Sequence, residues 1–146
     1  MQIRSTRRLG SPPAGAPEET RDGQTAPVLV LEPDHVAAGA LERQLTAYGF
    51  HWIAIVQDLA DARRIIEAAP ITLAMLSLDR RAPAVLAMAQ ELVRSSIPLI
   101  LTSATGRPLV FPGLPPDTPM VARGCPTEML FAVFDTMRHR LRPTRP

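Results

Sequence analysis

Ile71-Thr72-Leu73-Ala74-Met75-Leu76-Ser77 is a short apolar run that opens just after Pro70 and gives way to the charged turn Asp79-Arg80-Arg81. No polar residue interrupts it between Leu73 and Leu76, so both faces of this segment need cover. That is the pattern of a strand inside a parallel sheet, because the helices that connect parallel strands pack on both of its faces. Read as the third strand, it sets the frame for the segments on either side.

Toward the N-terminus, Asp58 is placed to cap a helix whose Leu59, Ala62, Ile65, Ile66 and Ala69 recur at helical spacing, and Pro70 stops it. Trp52 to Val56 reads as a second strand, and Val28-Leu29-Val30-Leu31 as a first, again continuous and apolar. Between them, Asp34 caps a helix carrying Val36, Ala37, Ala40, Leu41 and Leu45 at helical intervals and ending near Gly49. Toward the C-terminus, a helix from about Ala84 to Ser95 turns Val85, Leu86, Ala89 and Leu92 inward, and Pro98 to Thr102 is a fourth strand. Pro119 to Arg123 is the fifth. The last helix starts near Pro126 or Thr127 and runs to Leu141, with Leu130, Val133, Phe134, Met137 and Leu141 on its inner side.

Gly106-Arg107-Pro108 through Pro115-Pro116, with Pro112-Gly113 between, separates the fourth and fifth strands. Proline removes backbone donors and clashes with the preceding turn, so this segment predicts a loop or a short helix at most. Five strands alternating with helices predict an α/β, flavodoxin-like three-layer sandwich around a five-stranded parallel sheet of order 2-1-3-4-5.

A chain of 146 residues is long enough for one domain with a sizeable core. Residues 1 to 26 are rich in Arg, Pro, Gly, Ser and Thr and poor in large apolar groups, which predicts a disordered tail. The domain is expected over residues 27 to 141 and a frayed tail over 142 to 146. The formal charge is +2, and every basic residue is arginine, since the chain has no lysine. Cys125 is the single cysteine, which excludes an internal disulfide and fits a reducing, cytoplasmic setting. The absence of an apolar run of about 18 to 20 residues predicts no membrane span. The arginines are scattered and no further domain follows the last helix, so DNA binding is not expected.

Ligands of doubly wound α/β folds sit at the carboxyl ends of the strands, beside the point where the strand order reverses. The residues just past the strands are therefore the candidate site. They are Glu32 and Asp34 after the first strand, Ser77 and Asp79 after the third, Ser103 after the fourth and Arg123 after the fifth.

At those positions the chain resembles the receiver domain of two-component response regulators, in a degenerate, single-domain form. Val28-Leu29-Val30-Leu31-Glu32-Pro33-Asp34 resembles the family's opening strand and acidic cluster. Leu73-Ala74-Met75-Leu76-Ser77 resembles the strand that ends in the phosphoacceptor, and Ile97 through Ala104 the strand that ends in a hydroxyl residue and alanine. Val121-Ala122-Arg123-Gly124 is similar to the stretch that ends in lysine and proline. The resemblance implies phosphorelay signal transduction by protein contact, with a histidine kinase or another signalling protein as partner. It implies no enzyme activity.

The same resemblance marks the departures. Ser77 stands in the acceptor position, where the family has an aspartate whose carboxylate is already ionised and needs no base. A serine hydroxyl must lose a proton during attack, and His35, His51 and His139 all fall elsewhere in the pattern. Of the carboxylates that hold magnesium in receivers, Glu32 remains, Pro33 replaces the second acid and Ser77 removes the third. Asp34 reads more simply as a helix cap than as a metal ligand. Arg123 replaces a compact ammonium by a wide planar fork, and is able to bridge Glu32 or Asp34 and hold the pocket in one state. Ser103 keeps the switch hydroxyl, which also suits a strand-end turn.

These readings predict an atypical receiver, not phosphorylated at the usual position and without a metal or other cofactor. A phosphorelay receiver using Asp79 and Mg2+ is the alternative, although Asp79-Arg80-Arg81 also reads as a solvated turn. A small hydrolase or nucleotide-binding protein with Ser77 or Ser103 as nucleophile lacks a placed base and a Gly-rich phosphate loop. Val110, Phe111, Leu114 and Met120, in and beside the Pro-rich segment, form a candidate partner face, unless Phe111 and Leu114 fold back onto the sheet.

Overall fold

Continuous apolar strands stack side by side at the centre of the molecule, as their sequences demand. β1 (Val28–Leu31) pairs in parallel with β2 (Ile53–Val56) on one side and β3 (Leu73–Ser77) on the other. β4 (Leu99–Ser103) and β5 (Met120–Ala122) complete the sheet in the order β2-β1-β3-β4-β5. The expected three-layer arrangement and strand order are those observed. This computed structural model describes residues 26–78, 83–107 and 110–141. Both expected tails, apart from Ala26, and also Asp79, lie outside the described residues.

Successive side chains of a strand point to opposite faces, so the register divides the core in two. Val28, Val30, Leu73, Met75, Ile100 and Val121 face Leu45 of α1 (His35–Tyr48) and Leu130 and Phe134 of α4 (Thr127–Thr136). Leu29, Leu31, Ala74, Leu76, Leu99 and Leu101 face Ala62 of α2 (Leu59–Ala68) and Met88, Ala89 and Leu92 of α3 (Pro83–Arg94). Two residues beyond Val30, Met75 and Ile100, the same alternation carries Glu32, Ser77 and Thr102 onto the α1/α4 face. All three are buried there, at the carboxyl end of the sheet.

The helix caps follow the local chemistry. Asp34 Oδ1 accepts hydrogen bonds from the Val36 and Ala37 amides at 2.8 and 3.0 Å, and Gly49, at φ 124°, ends α1. Asp58 Oδ1 accepts from the Asp61 amide at 2.8 Å at the start of α2. Asp58→Ala is expected to cost about 1 kcal/mol, read as a lower urea midpoint with an unchanged slope.

Two details depart from the sequence reading. Val36 belongs to the apolar set expected to face inward from α1 yet is 80% exposed, and the buried residues are Ala38 and Leu45. At about 100° per residue, Val36 stands on the side of the helix opposite to both of them. The last helix is not continuous: Met137 leaves helical geometry at φ −101° and ψ 3°, and a short α5 (Arg138–Leu141) follows. There the Thr136 hydroxyl donates to the Val133 carbonyl at 2.7 Å, a local bond that competes with the helix ladder. Met137 and Leu141 stay buried despite the break.

In the Pro-rich segment, one of the two expected arrangements is observed. No helix stands between β4 and β5 among the described residues, as its prolines predict. Leu114 is buried and Phe111 half-buried, and both pack against the α2/α3 core rather than projecting outward. The Gln90 amide of α3 donates to the Pro112 carbonyl and holds the segment down. Gly106, at φ 72°, lets it pass close to β5, because a Cβ there would lie 2.6 Å from the Ala122 amide nitrogen.

Candidate functional site

Arg123 directly follows β5, and its amide donates to the Ser103 carbonyl at 2.7 Å, extending the β4–β5 ladder by a residue. This anchor sends the guanidinium back across the strand ends. Its Nε donates to Glu32 Oε1 at 3.1 Å, and its Nη2 donates to the Ser77 hydroxyl. One planar fork therefore ties Glu32, just past β1, to Ser77 at the end of β3, a geometry that an ammonium cannot copy. The Arg123 side chain is one-third exposed, while Glu32 is 1% exposed.

Glu32 is held on both sides. Its second carboxylate oxygen accepts from the Asp34 amide at 3.0 Å, and its own amide donates to the Val56 carbonyl at 3.0 Å. A carboxylate this deeply buried needs a compensating charge and hydrogen bonds, and Arg123 and the Asp34 amide supply them. Asp34 itself stays exposed as the cap of α1. The amides of Ala37 and then Val36 hold its carboxyl below the ordinary aspartate range, with a smaller contribution from the Arg123 charge.

Ser103 and Thr102 divide the two roles open to a hydroxyl here. The Ser103 hydroxyl oxygen accepts from the Gly106 amide at 2.8 Å and so closes the turn after β4. Thr102 pairs in register with Ser77, is 2% exposed, and has a hydroxyl oxygen with no hydrogen-bond partner. Sequence reasoning missed Thr102. The signal that finds it is strand alternation, which places it on the same face as Ile100 and Ser77.

The structure thus brings Glu32, Ser77 and Arg123 into contact, with Asp34 joined to them through its backbone. The Ser103 hydroxyl is turned to its own loop, and Asp79 is not described. Of the candidate partner face, Val110 is exposed at 81%, Met120 is half-buried, and Phe111 and Leu114 belong to the α2/α3 packing. Cys125 is buried, and burial pushes its thiol above the ordinary range, which leaves it protonated and unreactive at neutral pH.

Magnesium needs several oxygen ligands in near-octahedral array, with carboxylates to balance its charge. Here the buried carboxylate is already neutralised by a guanidinium 3.1 Å away, and its neighbours are a neutral hydroxyl and Pro33. The described residues do not fit the ion. Consistently, no group of three or more His, Cys, Asp or Glu among them is arranged to hold a metal. Among the described residues, no helix is long and apolar enough to cross a membrane.

Solved structures give the architecture its relatives. The chain is similar to a sensor protein from Polaromonas sp. JS666, with a TM-score of 0.65 and 17% identity over 80% of this chain and 98% of that one. The chain has the receiver fold. A signal receiver domain of a signal transduction histidine kinase from Syntrophus aciditrophicus matches at a TM-score of 0.62 and 17% identity, over 83% of this chain and 96% of that one. An orphan response regulator of H. pylori matches at 0.59 and 21% identity, over 81% and 98%. No protein-family model matches the chain, and no curated protein does. The receiver fold is therefore evident in backbone geometry at 17–21% identity. Ser77 ends β3 and Arg123 follows β5, and the two side chains are hydrogen-bonded.

Proposed function

We propose that the chain is an atypical receiver that signals by contact with another protein and takes no phosphoryl group at the acceptor position, Ser77. The observation that carries this reading is the Arg123 fork, which holds Glu32 and Ser77 together. A phosphoryl group entering here would meet a neutral hydroxyl whose oxygen already accepts a hydrogen bond from a cation. That bond favours the hydroxyl as an acceptor, but attack also requires a base to take its proton. His35 and His139 are exposed on α1 and α5, and His51 precedes β2 at the opposite end of the sheet. The His35 ring is engaged by the Gln57 amide just past β2.

In this reading the domain presents one fixed surface instead of alternating between two states. Its partner is a protein of two-component signalling in the cytoplasm, such as a histidine kinase, and the chain performs no catalysis of its own. The fold relatives support this, since the solved structures it resembles include a receiver domain of a histidine kinase and an orphan response regulator. Among the described residues, Val110 is the exposed large apolar group offered by the segment between β4 and β5.

Incubation with acetyl phosphate and Mg2+ followed by intact-mass measurement tests the assignment. The expected spectrum shows the unmodified chain alone. A labile phosphoryl adduct that disappears in Asp79→Ala would replace this reading with a phosphorelay receiver that uses a non-standard aspartate.

A further inference from the structure

Thr102 poses a problem that the latch between Arg123, Glu32 and Ser77 does not answer. Among the described residues, its hydroxyl oxygen is the buried side-chain polar atom left with no partner. Native structures rarely tolerate such an atom, because a hydroxyl stripped of water loses its hydrogen bonds and gains nothing in return. Thr102 borders a small cavity between α1 and the loop after β5, and Glu32, Gln44, Arg123 and Cys125 border the same cavity.

We propose that this cavity is a binding site for a single integral water molecule, bridging the Thr102 hydroxyl and the Glu32 carboxylate. The polar groups around it select that occupant by elimination. A cation would sit beside the Arg123 guanidinium, which already neutralises Glu32 from 3.1 Å. An anion would face the Glu32 carboxylate, and an apolar group would leave Thr102 stranded. The occupant must be neutral, donate to a carboxylate and exchange a hydrogen bond with a hydroxyl.

Glu32 has capacity for it. Its oxygens accept from Arg123 Nε and from the Asp34 amide, whereas an ionised carboxylate offers about four acceptor positions. Gln44 supplies a third polar wall, with its amide nitrogen held by the Cys125 carbonyl and the Thr127 hydroxyl, each at 3.2 Å. Buried waters typically make about three hydrogen bonds to groups of this kind. Ala40 and Gly124 on the lining leave the room that larger side chains would fill. The water then joins β4 to the strand-end latch, so that Thr102, Glu32, Arg123 and Ser77 form one hydrogen-bonded chain across the sheet.

Thr102→Val and Thr102→Ser separate a filled site from a dry one. With the water in place, Thr102→Val removes one of its partners and melts below the wild type, while Thr102→Ser keeps the hydroxyl and melts close to it. A high-resolution crystal structure of the wild type is expected to show one water within hydrogen-bond distance of Thr102 Oγ1 and a Glu32 oxygen. A dry cavity, or a Thr102→Val variant that melts above the wild type, overturns the proposal. So does density that depends on added ammonium or potassium, since the occupant would then be a cation. If Thr102→Val does not fold, long-lived water cross-peaks to the Thr102 side chain in wild-type NMR spectra decide the question, and their absence counts against the site.

Discussion

Arg123→Ala is expected to lower the stability of the fold by about 2–3 kcal/mol, one of the two largest effects predicted for the site. Removing one partner of a buried pair typically costs about 3–5 kcal/mol, because the other charge is left uncompensated in a poorly solvated place. The lower figure applies because the Arg123 side chain is one-third exposed and water can enter where it leaves. The burden falls on Glu32, which is 1% exposed and keeps only the Asp34 amide as a partner. Ser77 loses its donor in the same step.

The asymmetry of burial makes a second expectation of the same experiment. Glu32→Gln leaves the partly exposed guanidinium free to turn to solvent, so it is expected to cost less than Arg123→Ala. Glu32→Met combined with Arg123→Met removes both charges and should return most of the loss, because replacing a buried pair by apolar side chains is often neutral. Urea denaturation of the variants measures all of these. A loss for Arg123→Ala no larger than that for Glu32→Gln would show that the latch contributes nothing to holding Glu32 in place.

The second large effect is chemical and all-or-none. Ser77→Asp alone is expected to remain unphosphorylated by acetyl phosphate and Mg2+, because its new carboxylate would be drawn into an ion pair with Arg123. Magnesium would still lack a second free acid. The combination of Ser77→Asp, Pro33→Asp and Arg123→Lys supplies an ionised nucleophile, a further oxygen ligand and a compact cation. It is expected to gain a labile, magnesium-dependent phosphoryl adduct in intact-mass spectra. Phosphorylation of the Ser77→Asp single variant would show that Arg123 is not a barrier. Failure of the folded combination would place the block elsewhere in the pocket.

Much of the fold was legible because its signals are local. β1 matches its apolar run residue for residue, and Asp34, Asp58 and Gly49 mark helix ends through hydrogen bonds to nearby backbone. The prolines between β4 and β5 ruled out a long helix by simple steric logic. Where the reading slipped, a non-local fact intervened. Val36 belongs to the apolar set expected inward from α1 but stands on the side opposite Ala38 and Leu45, because an alanine-rich helix does not reveal by spacing which side the sheet will cover. The break at Met137 is accompanied by a threonine hydroxyl bonding a carbonyl three residues back, which apolar spacing does not reveal.

The site was legible as a set of positions but not as a set of contacts. Glu32, Ser77 and Arg123 are recognisable as strand-end residues, yet Arg123 and Glu32 are 91 residues apart in the chain and meet only across a closed sheet. Ser103 and Thr102 are adjacent in sequence, and both are hydroxyl residues at the end of β4. Alternation along the strand sends one into a turn and the other into the interior.

By itself, the sequence determined the order of strands and helices, the parallel sheet, and a serine rather than a carboxylate at the end of the third strand. Each of these follows from residue type and short-range spacing. Only the tertiary structure decided that Arg123 reaches both Glu32 and Ser77, that Leu114 fills the core, and that Thr102 is the hydroxyl left buried beside the pocket. Those outcomes depend on which side chains share a space once the sheet has closed, and periodicity along one segment carries no information about the far wall of the cavity it lines.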